Sequence, residues 1–161
     1  MNPFYRIDNR LVHGQIIATW MPKLRLERIV IISDTVPDND MQMSLFGMCV
    51  PPQITFDAFK IKEGAQWLTT RRYGRSSTLV LMEGPEQAAG LFKNGHPFPT
   101  LNIGNVHHTP GSREFTSAVH LNDAQLEKLS ALMRRGVKVE IQSLPTDNPI
   151  NLKHAMSSSH L

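Results

Sequence analysis

Short apolar runs alternate with amphipathic segments along the whole chain. Runs rich in β-branched residues, at 28–32 and 78–82, are typical of strands that are covered on both faces of a parallel sheet. The segments between them carry apolar residues at three- and four-residue steps, which is the period of a helix face. By this pattern the strands are 4–8, 28–32, 54–59, 78–82, 100–103, 115–121 and 137–142, and the helices are 11–20, 37–50, 60–70, 85–93 and 124–135. The alternation predicts an α/β fold with a mainly parallel sheet and right-handed crossovers.

Local signals refine the first two helices. Pro22 is expected to end the first helix, because a proline inside a helix removes a backbone hydrogen bond. Asp38 or Asn39 is expected to cap the second helix. This helix should pack on the core through one apolar stripe. The stripe consists of Met41, Leu45, Met48 and Cys49.

The length and composition fit one compact domain. The chain has 161 residues, of which 40% are hydrophobic. This is enough for one sizeable core and too little for two ordinary domains. After Pro145 the sequence is polar and interrupted by proline. We therefore expect a domain at 1–145 and a C-terminal extension or tail at 146–161, frayed or lightly docked from residue 156.

The charge and the cysteine content favour a cytoplasmic protein that does not bind nucleic acid. The net charge is +3, and Lys and Arg are dispersed except at 71–75, a cluster expected to cap a helix end or to face an acidic protein partner. A single cysteine, Cys49, excludes an internal disulfide, and its apolar surroundings predict a buried, inert thiol. The chain has neither the ~18-residue apolar run of a membrane span nor a signal peptide, so any action at a membrane is expected to depend on a partner.

Reactive side chains concentrate at the end of the first predicted strand. Residues 6–15 read Arg-Ile-Asp-Asn-Arg-Leu-Val-His-Gly-Gln. A strand-to-helix turn of an open α/β sheet lies at the edge where such folds bind ligands, and the free N–H groups that open the helix favour phosphate. Histidine is a nucleophilic residue type that can accept a phosphoryl group and release it again, which makes His13 a candidate carrier, and Arg10 offers a planar fork of donors for phosphate oxygens. On spacing alone, a capping or core histidine and a surface ion pair are the more common roles of these two residues.

Three stretches resemble one known family. The first matches, from Arg6 to Gln15, the signature R-I-D-x-R-L-[IV]-H-G-Q of the IIB components of the mannose/fructose/sorbose family of the bacterial phosphoenolpyruvate-dependent sugar phosphotransferase system. Residues 102–107 and 135–142 resemble the mid-chain N-[IV]-G-[GN]-[MV] segment and the closing strand of that family, and the Asn-Val-His ending of the former is closest to the N-acetylgalactosamine branch. The resemblance implies a single open sheet of about seven strands with helices on both faces.

The resemblance also implies roles for the residues of the first stretch. His13 is expected to accept the phosphoryl group, through Nδ1, and Arg10 to stabilise it. Asp8 is expected to orient Arg10 or to support the loop, because a carboxylate touching the phosphate would repel it. Gly14 is expected to let a loop or a partner come close. Gln15 either caps the turn or donates to the phosphate.

Other polar residues are weaker candidates. Arg6 is expected to form a salt bridge with Asp8. Asp34 either borders the same crevice or caps a helix. His107 is expected to line the phosphate pocket or the acceptor face, whereas His107 and His108, being adjacent, are poorly placed to share one metal ion. Neither a metal nor a cofactor is expected, and the glycines form no nucleotide-binding pattern.

As the resemblance implies, the chain is a phosphotransferase component of sugar uptake. His13 would take phosphate from a phosphohistidine on an enzyme IIA domain and pass it to a sugar, such as mannose, fructose, sorbose or N-acetylgalactosamine, held by the membrane subunits IIC and IID. The protein would then be cytoplasmic and associated with the membrane through these partners, and a homo-oligomer is compatible with this role. Leu11, Val12 and Trp20 are candidates for an apolar docking patch, with helix packing as the alternative. A regulatory module, whose His13 phosphorylation is read by a protein partner, is the alternative function.

Overall fold

The structure, a computed structural model, describes residues 2–158. The strands are β1 (Phe4–Asp8), β2 (Arg28–Ile32), β3 (Thr55–Phe59), β4 (Thr78–Met82), β5 (Thr100–Asn105), β6 (Arg113–Thr116), β7 (Val119–Leu121), β8 (Lys138–Ile141) and β9 (Ile150–Asn151). The helices are α1 (Met21–Leu24), α2 (Asp40–Cys49), α3 (Ile61–Thr69), α4 (Pro85–Lys93), α5 (Asp123–Arg134) and α6 (Leu152–Ser158). A π-helical turn, Ile16–Trp20, leads into α1, and a 3-10 turn, Val36–Asp38, precedes α2.

A seven-stranded sheet forms the centre of the fold. Its strand order is β3-β2-β4-β1-β5-β8-β9, and every neighbouring pair is parallel except β8 and β9. The strands β6 and β7 form a separate antiparallel hairpin. These findings confirm the single-domain α/β fold and its mainly parallel sheet of seven strands.

Helices cover both faces of the sheet, as predicted. On one face the π-helical turn, α1 and α2 pack on the side chains of Ile29, Ile31, Leu79 and Leu81. On the other face α3, α4 and α5 pack on the side chains of Val30, Ile32, Val80 and Met82. Successive strand residues point to opposite faces, so the unbroken apolar runs of β2 and β4 supply both cores.

At the edge formed by the carboxyl ends of the parallel strands, the connections that follow β1 and β4 diverge. The chain leaves β1 toward α1 on one face, whereas it leaves the neighbouring β4 toward α4 on the other face. Ligands of open α/β sheets bind where neighbouring connections diverge in this way. On the other side of β1 the register against β5 shifts after Ile7, so that Asp8 lies beside Asn105 and Gly104 is passed over.

The first helix does not end at Pro22, so that prediction is wrong. Helical structure starts at residue 14, passes through the π-helical turn and continues as α1 to Leu24. Pro22 is the second residue of α1, and the amide of Met21 donates to the carbonyl of Ile16, five residues back. This wider turn leaves room for the proline ring, which in a regular α-helix would meet the carbonyl four residues back.

The prediction of a single strand at 115–121 is also wrong, because this segment contains the end of β6, a turn and β7. The hydroxyl oxygen of Thr116 accepts hydrogen bonds from the amides of Ala118 (3.3 Å) and Val119 (3.1 Å). A threonine that bonds two amides ahead of itself reverses the chain locally. The apolar pattern continues across this turn and therefore conceals it.

The exposed face of α2 differs from the predicted one. Asn39 caps the helix, as predicted, by accepting the amide of Gln42 (3.0 Å). Residues Met43 and Phe46 pack on the core, whereas the predicted stripe faces outward. In that stripe Met41 is 75% exposed, Leu45 55% and Met48 82%, and Cys49 is exposed rather than buried. Apolar residues surround most of this helix, so their period does not select a face.

The C-terminal extension contains regular structure. Strand β9 pairs antiparallel with β8, and α6 follows it directly, with Leu152 fully buried in the core. The expectation of a frayed or lightly docked end concerned residues 156–161. Residues up to Ser158 lie in α6, and 159–161 lie outside the described residues. Among the helices of residues 2–158, none has the length and apolar character to cross a membrane.

Candidate functional site

The turn after β1 is held rigidly by backbone bonds and buried side chains. The amide of Leu11 donates to the carbonyl of Asp8 (2.9 Å), and the amide of Asn9 donates to the carbonyl of Asn105 on β5 (3.1 Å). Leu11 has a φ of 57°, a left-handed conformation that is costly for a branched side chain. Burial of Leu11 and Val12 in the core offsets this cost. The suggestion that Leu11, Val12 and Trp20 form an exposed docking patch is wrong, because all three are buried.

The carboxylate of Asp8 is the centre of the site. Its side chain is fully buried and accepts five N–H donors. Oδ1 accepts the backbone amide and Nε of Arg10, both at 3.1 Å. Oδ2 accepts Nη2 of Arg10 (3.1 Å), Nη2 of Arg6 (3.3 Å) and Nε2 of His13 (3.1 Å). One carboxylate therefore brings together both arginines and the histidine of the first stretch.

These contacts keep Asp8 ionised. Burial by itself would raise the pKa of Asp8, but the hydrogen bonds from His13 and Arg10 and the positive charge of Arg6 outweigh it and lower the pKa to about 2. The carboxylate consequently has no proton to donate at neutral pH. Each group that forms a hydrogen bond with it must therefore be the donor.

This requirement determines the tautomer of His13. Because the Asp8 carboxylate can only accept the hydrogen bond from His13, Nε2 of His13 must carry a proton. In the neutral ring Nδ1 then keeps its lone pair. Within residues 2–158, Nδ1 makes no hydrogen bond, and the His13 side chain is 19% exposed. The nitrogen available as a nucleophile is thus Nδ1, on the side of the ring away from the carboxylate.

Hydrogen bonds fix the orientation of the Arg10 side chain but leave some of its N–H groups without a partner among the described residues. Its side chain is 40% exposed, and besides its two bonds to Asp8 it donates from Nη2 to the side-chain carbonyl of Gln15 (3.2 Å). Both N–H groups of Nη1 lack a partner among the described residues, so they remain available to an oxyanion. Gln15 therefore serves here to orient Arg10, a role that neither of the two sequence alternatives contained.

The start of the helix lies next to His13. The first helical hydrogen bond runs from the amide of Ile17 to the carbonyl of His13 (3.3 Å). The amides of Gly14, Gln15 and Ile16 precede it and have no partner within the helix. Gly14 is exposed, and a side-chain carbon added there would meet nothing within 4 Å.

Arg6 is fully buried beneath the site. The salt bridge to Asp8 is present as predicted, but the guanidinium also donates to Asn102 Oδ1, to the carbonyl of Gln142 (2.9 Å) and to the carbonyl of Ser143 (3.0 Å). The indole of Trp20 covers it, with the guanidinium carbon 4.8 Å from the ring centre. Burial lowers the pKa of Arg6 to about 10, still well above neutral. These long-range partners could not be read from the local sequence.

The remaining candidates lie apart from this cluster. Among the described residues His107 is exposed and forms no hydrogen bond or ion pair with Asp8, Arg10 or His13, so its predicted place at the pocket stays a prediction. Asp34 accepts the first amide of α3, from Ile61 (3.0 Å), and so acts as a helix cap. Residues 2–158 contain no group of three or more His, Cys, Asp and Glu side chains suited to a metal ion.

An open groove adjoins the site. It has a volume of about 320 Å³ and is lined by Gln15, the turn of the β6–β7 hairpin at 116–118 and the loop after β8 at 142–148. The groove is open to solvent and is lined by both polar and apolar surface.

The chain is similar to known phosphotransferase components along most of its length. The family described as PTS system sorbose subfamily IIB component matches residues 3–161. The N-acetylgalactosamine-specific phosphotransferase enzyme IIB component 1 of Escherichia coli (strain K12) is 30% identical over 142 residues, which cover 88% of this chain and 90% of that protein. The PTS system mannose-specific EIIAB component of the same strain is 24% identical over 152 residues, 94% of this chain and 47% of that protein.

The fold has a counterpart among solved structures. The IIBSor domain of the sorbose permease from Klebsiella pneumoniae superposes with a TM-score of 0.91 at 24% sequence identity, covering 100% of this chain and 99% of that domain. The two proteins thus share the complete fold. With the family match over nearly the whole length, the chain belongs to the sorbose subfamily of IIB components of the sugar phosphotransferase system.

Proposed function

We propose that this chain carries a phosphoryl group on Nδ1 of His13 between a IIA donor and a sugar held by the membrane subunits IIC and IID. In the first step the lone pair of Nδ1 attacks the phosphorus of a phosphohistidine on IIA. A new N–P bond forms, and the donor histidine leaves with the electron pair of the old bond. In the second step a sugar hydroxyl attacks the same phosphorus and forms an O–P bond. The N–P bond breaks, its electron pair returns to Nδ1, and the hydroxyl proton passes to water.

The observation that supports this most strongly is the hydrogen bond of 3.1 Å between Nε2 of His13 and the ionised Asp8. It keeps the proton on one ring nitrogen and leaves the other as a nucleophile. It also directs Nδ1 away from the carboxylate, which reduces the repulsion between Asp8 and an attached phosphoryl group.

Electrostatics favour the bound phosphoryl group. Arg6 and Arg10 contribute two positive charges against the one negative charge of Asp8, so with a neutral His13 the cluster has a net charge of +1. The free Nη1 of Arg10 and the unpaired amides at the helix start supply donors for the oxygens. Loose, charge-rich transition states of phosphoryl transfer are stabilised mainly by such fixed donors.

The surroundings of His13 suit successive protein partners. The histidine is partly exposed, Gly14 beside it has open space, and the groove next to Gln15 is open to solvent. Relatives named for IIAB, mannose and N-acetylgalactosamine support a IIA domain as the donor and a hexose or N-acetylhexosamine as the final acceptor. Binding to IIC and IID would bring this domain to the inner face of the membrane.

The test is phosphoryl uptake. The protein is incubated with phosphoenolpyruvate, the general phosphotransfer proteins and a IIA domain, and acid-labile phosphate is located by mass spectrometry. We expect label on His13, and ³¹P NMR should show phosphate on Nδ1. His13→Ala should lose the label, whereas the matched variant His154→Ala, at an exposed position of α6, should retain it. Label of unchanged amount in His13→Ala would contradict the proposal.

A further inference from the structure

The three family-like stretches of the chain meet at one buried cation, the guanidinium of Arg6. Arg6 lies in the first stretch, Asn102 and Gly104 in the second, and Gln142 at the end of the third. All four N–H bonds of Nη1 and Nη2 are used, two by carbonyls after β8, one by Asn102 and one by Asp8. Only the N–H of Nε has no partner in the described part of the chain.

Gly104 provides the space that Arg6 occupies. A side-chain carbon built on Gly104 would lie 1.9 Å from Nη2, 2.0 Å from Cζ and 2.5 Å from Nη1 of Arg6. No side chain fits there unless the guanidinium moves. The register shift between β1 and β5 occurs at the same place, where Asp8 passes Gly104 to lie beside Asn105. A glycine in a strand at an irregularity is expected where another group comes this close.

Gln142 and Ser143, whose carbonyls accept hydrogen bonds from Arg6, form further hydrogen bonds of their own. The carbonyl of Ser143 accepts both Arg6 and the indole N–H of Trp20 (3.0 Å), and the Ser143 hydroxyl donates to the carbonyl of Gly104 (2.9 Å). The side-chain amide of Gln142 donates to the carbonyl of Asp147 (3.0 Å), and this hydrogen bond stabilises the loop after β8. The guanidinium is consequently positioned from four directions and covered by an aromatic ring.

We propose that Arg6, seated over Gly104, is a positioning residue for phosphoryl transfer. It aligns Oδ2 of Asp8 so that His13 holds its proton on Nε2 and presents Nδ1. Arg6 does not contact the phosphoryl group, since it is fully buried, and it acts through Asp8. This inference rests on the proposed function of His13.

The test displaces the guanidinium without changing any charged residue. The methyl group of Gly104→Ala should displace the Arg6 guanidinium from its present position. Gly47→Ala is the matched control, because a side-chain carbon added at Gly47, on α2, would meet nothing within 4 Å. Long-range ¹H–¹⁵N NMR of the His13 ring reports its tautomer, and labelling by phosphorylated IIA reports the rate. Unfolding in urea shows whether each variant is folded.

We expect Gly47→Ala to match the wild type in His13 tautomer and in labelling rate. In Gly104→Ala we expect a mixture of both His13 tautomers and a tenfold or greater fall in the maximal labelling rate, with little change in the half-saturating concentration of IIA. A folded Gly104→Ala protein with an unchanged tautomer and rate would overturn the inference. If that variant does not fold, Arg6→Lys takes its place, since one ammonium group cannot serve four acceptors, and the same two readouts decide.

The two proposals fail in different ways. Absence of phosphate on His13 in the wild-type protein would contradict the proposed function. Normal labelling of the wild type, together with an unperturbed His13 in the folded Gly104→Ala or Arg6→Lys protein, would contradict only the role of Arg6.

Discussion

At the scale of single residues, one ionised carboxylate organises the site. Asp8 accepts five donors and thereby sets the proton position of His13 and the orientation of Arg10. In the proposed transfer, Asp8 would not need to touch the phosphoryl group to do this. Its low pKa follows from the same contacts, so geometry and charge depend on each other.

The first prediction concerns Arg10. Arg10→Lys should slow labelling of His13 about tenfold, equivalent to about 1.4 kcal/mol in the barrier, because one ammonium group cannot bond Asp8 through two atoms and still reach Gln15 and the phosphate. The free energy of unfolding should change by less than about 1 kcal/mol, since the ion pair is partly exposed. Rapid-quench labelling and urea unfolding measure the two quantities. Identical labelling kinetics would exclude Arg10 as a phosphate ligand.

The second prediction concerns Gly14. Gly14→Ala should leave the free energy of unfolding unchanged or raise it slightly, because an added methyl group meets nothing and alanine favours helices. Transfer from IIA should nevertheless slow, since the methyl group projects into the space that a partner needs. Urea unfolding and steady-state labelling test this pair of outcomes. Wild-type transfer would show that no partner approaches Gly14 closely.

At the scale of elements, the buried helices and strands were predicted from their patterns, whereas the face that α2 buries and the short strand β9 were not. The runs of β2 and β4 are apolar at every position because both faces are covered, so their sequence is sufficient. In α2 the apolar residues surround most of the helix, and only packing on the sheet decides that Met43 and Phe46 face inward. Strand β9 has two residues, too few for any period to be visible.

The third prediction tests whether the C-terminal elements belong to the core. Leu152→Ala should lower the free energy of unfolding by about 2–5 kcal/mol, because it leaves a cavity at a fully buried position. Ile150→Ala is the control, two residues earlier and 41% exposed, and should cost clearly less. Chemical denaturation measures both variants. Equal effects would mean that α6 contributes little to the core.

At the scale of the whole molecule, the opposite edge of the sheet carries a buried titratable group unrelated to the proposed transfer. Near the start of β1, the ring of His96 bonds the hydroxyl of Tyr5 (2.6 Å) through Nε2 and that of Thr69 (3.1 Å) through Nδ1. Burial lowers the pKa of His96 below its usual value of 6.5. The folded protein therefore prefers the neutral ring.

The fourth prediction follows from this pKa. Below pH 6.5 the unfolded chain binds a proton at His96 more readily than the folded protein does, so stability should be complete above pH 6.5 and fall as the pH drops through the lower folded pKa. His96→Gln should reduce this dependence. Urea unfolding at several pH values between 7.5 and 5 provides the measurement. If the stability of His96→Gln fell as steeply with decreasing pH as that of the wild type, other titratable groups would be responsible for the pH dependence.

The clustering of side chains at the candidate site could be predicted from sequence only where those residues are contiguous. Asp8, Arg10 and His13 lie within six residues, and a strand-to-helix turn necessarily brings them together at the carboxyl edge of a parallel sheet. Their partners Asn102, Gly104 and Ser143 come from strands that are neighbours only in space. Neither the tautomer of His13 nor the burial of Arg6 could be inferred before those strands were paired.

By itself the sequence determined the α/β class, the main strands and the family, because these depend on local periodicity and on a continuous motif. The tertiary structure alone decided which face of α2 is exposed, that the helix passes through Pro22, and that Arg6 lies over Gly104. Each of these depends on contacts between segments far apart in the chain, and the free energy of such contacts is not contained in any local pattern.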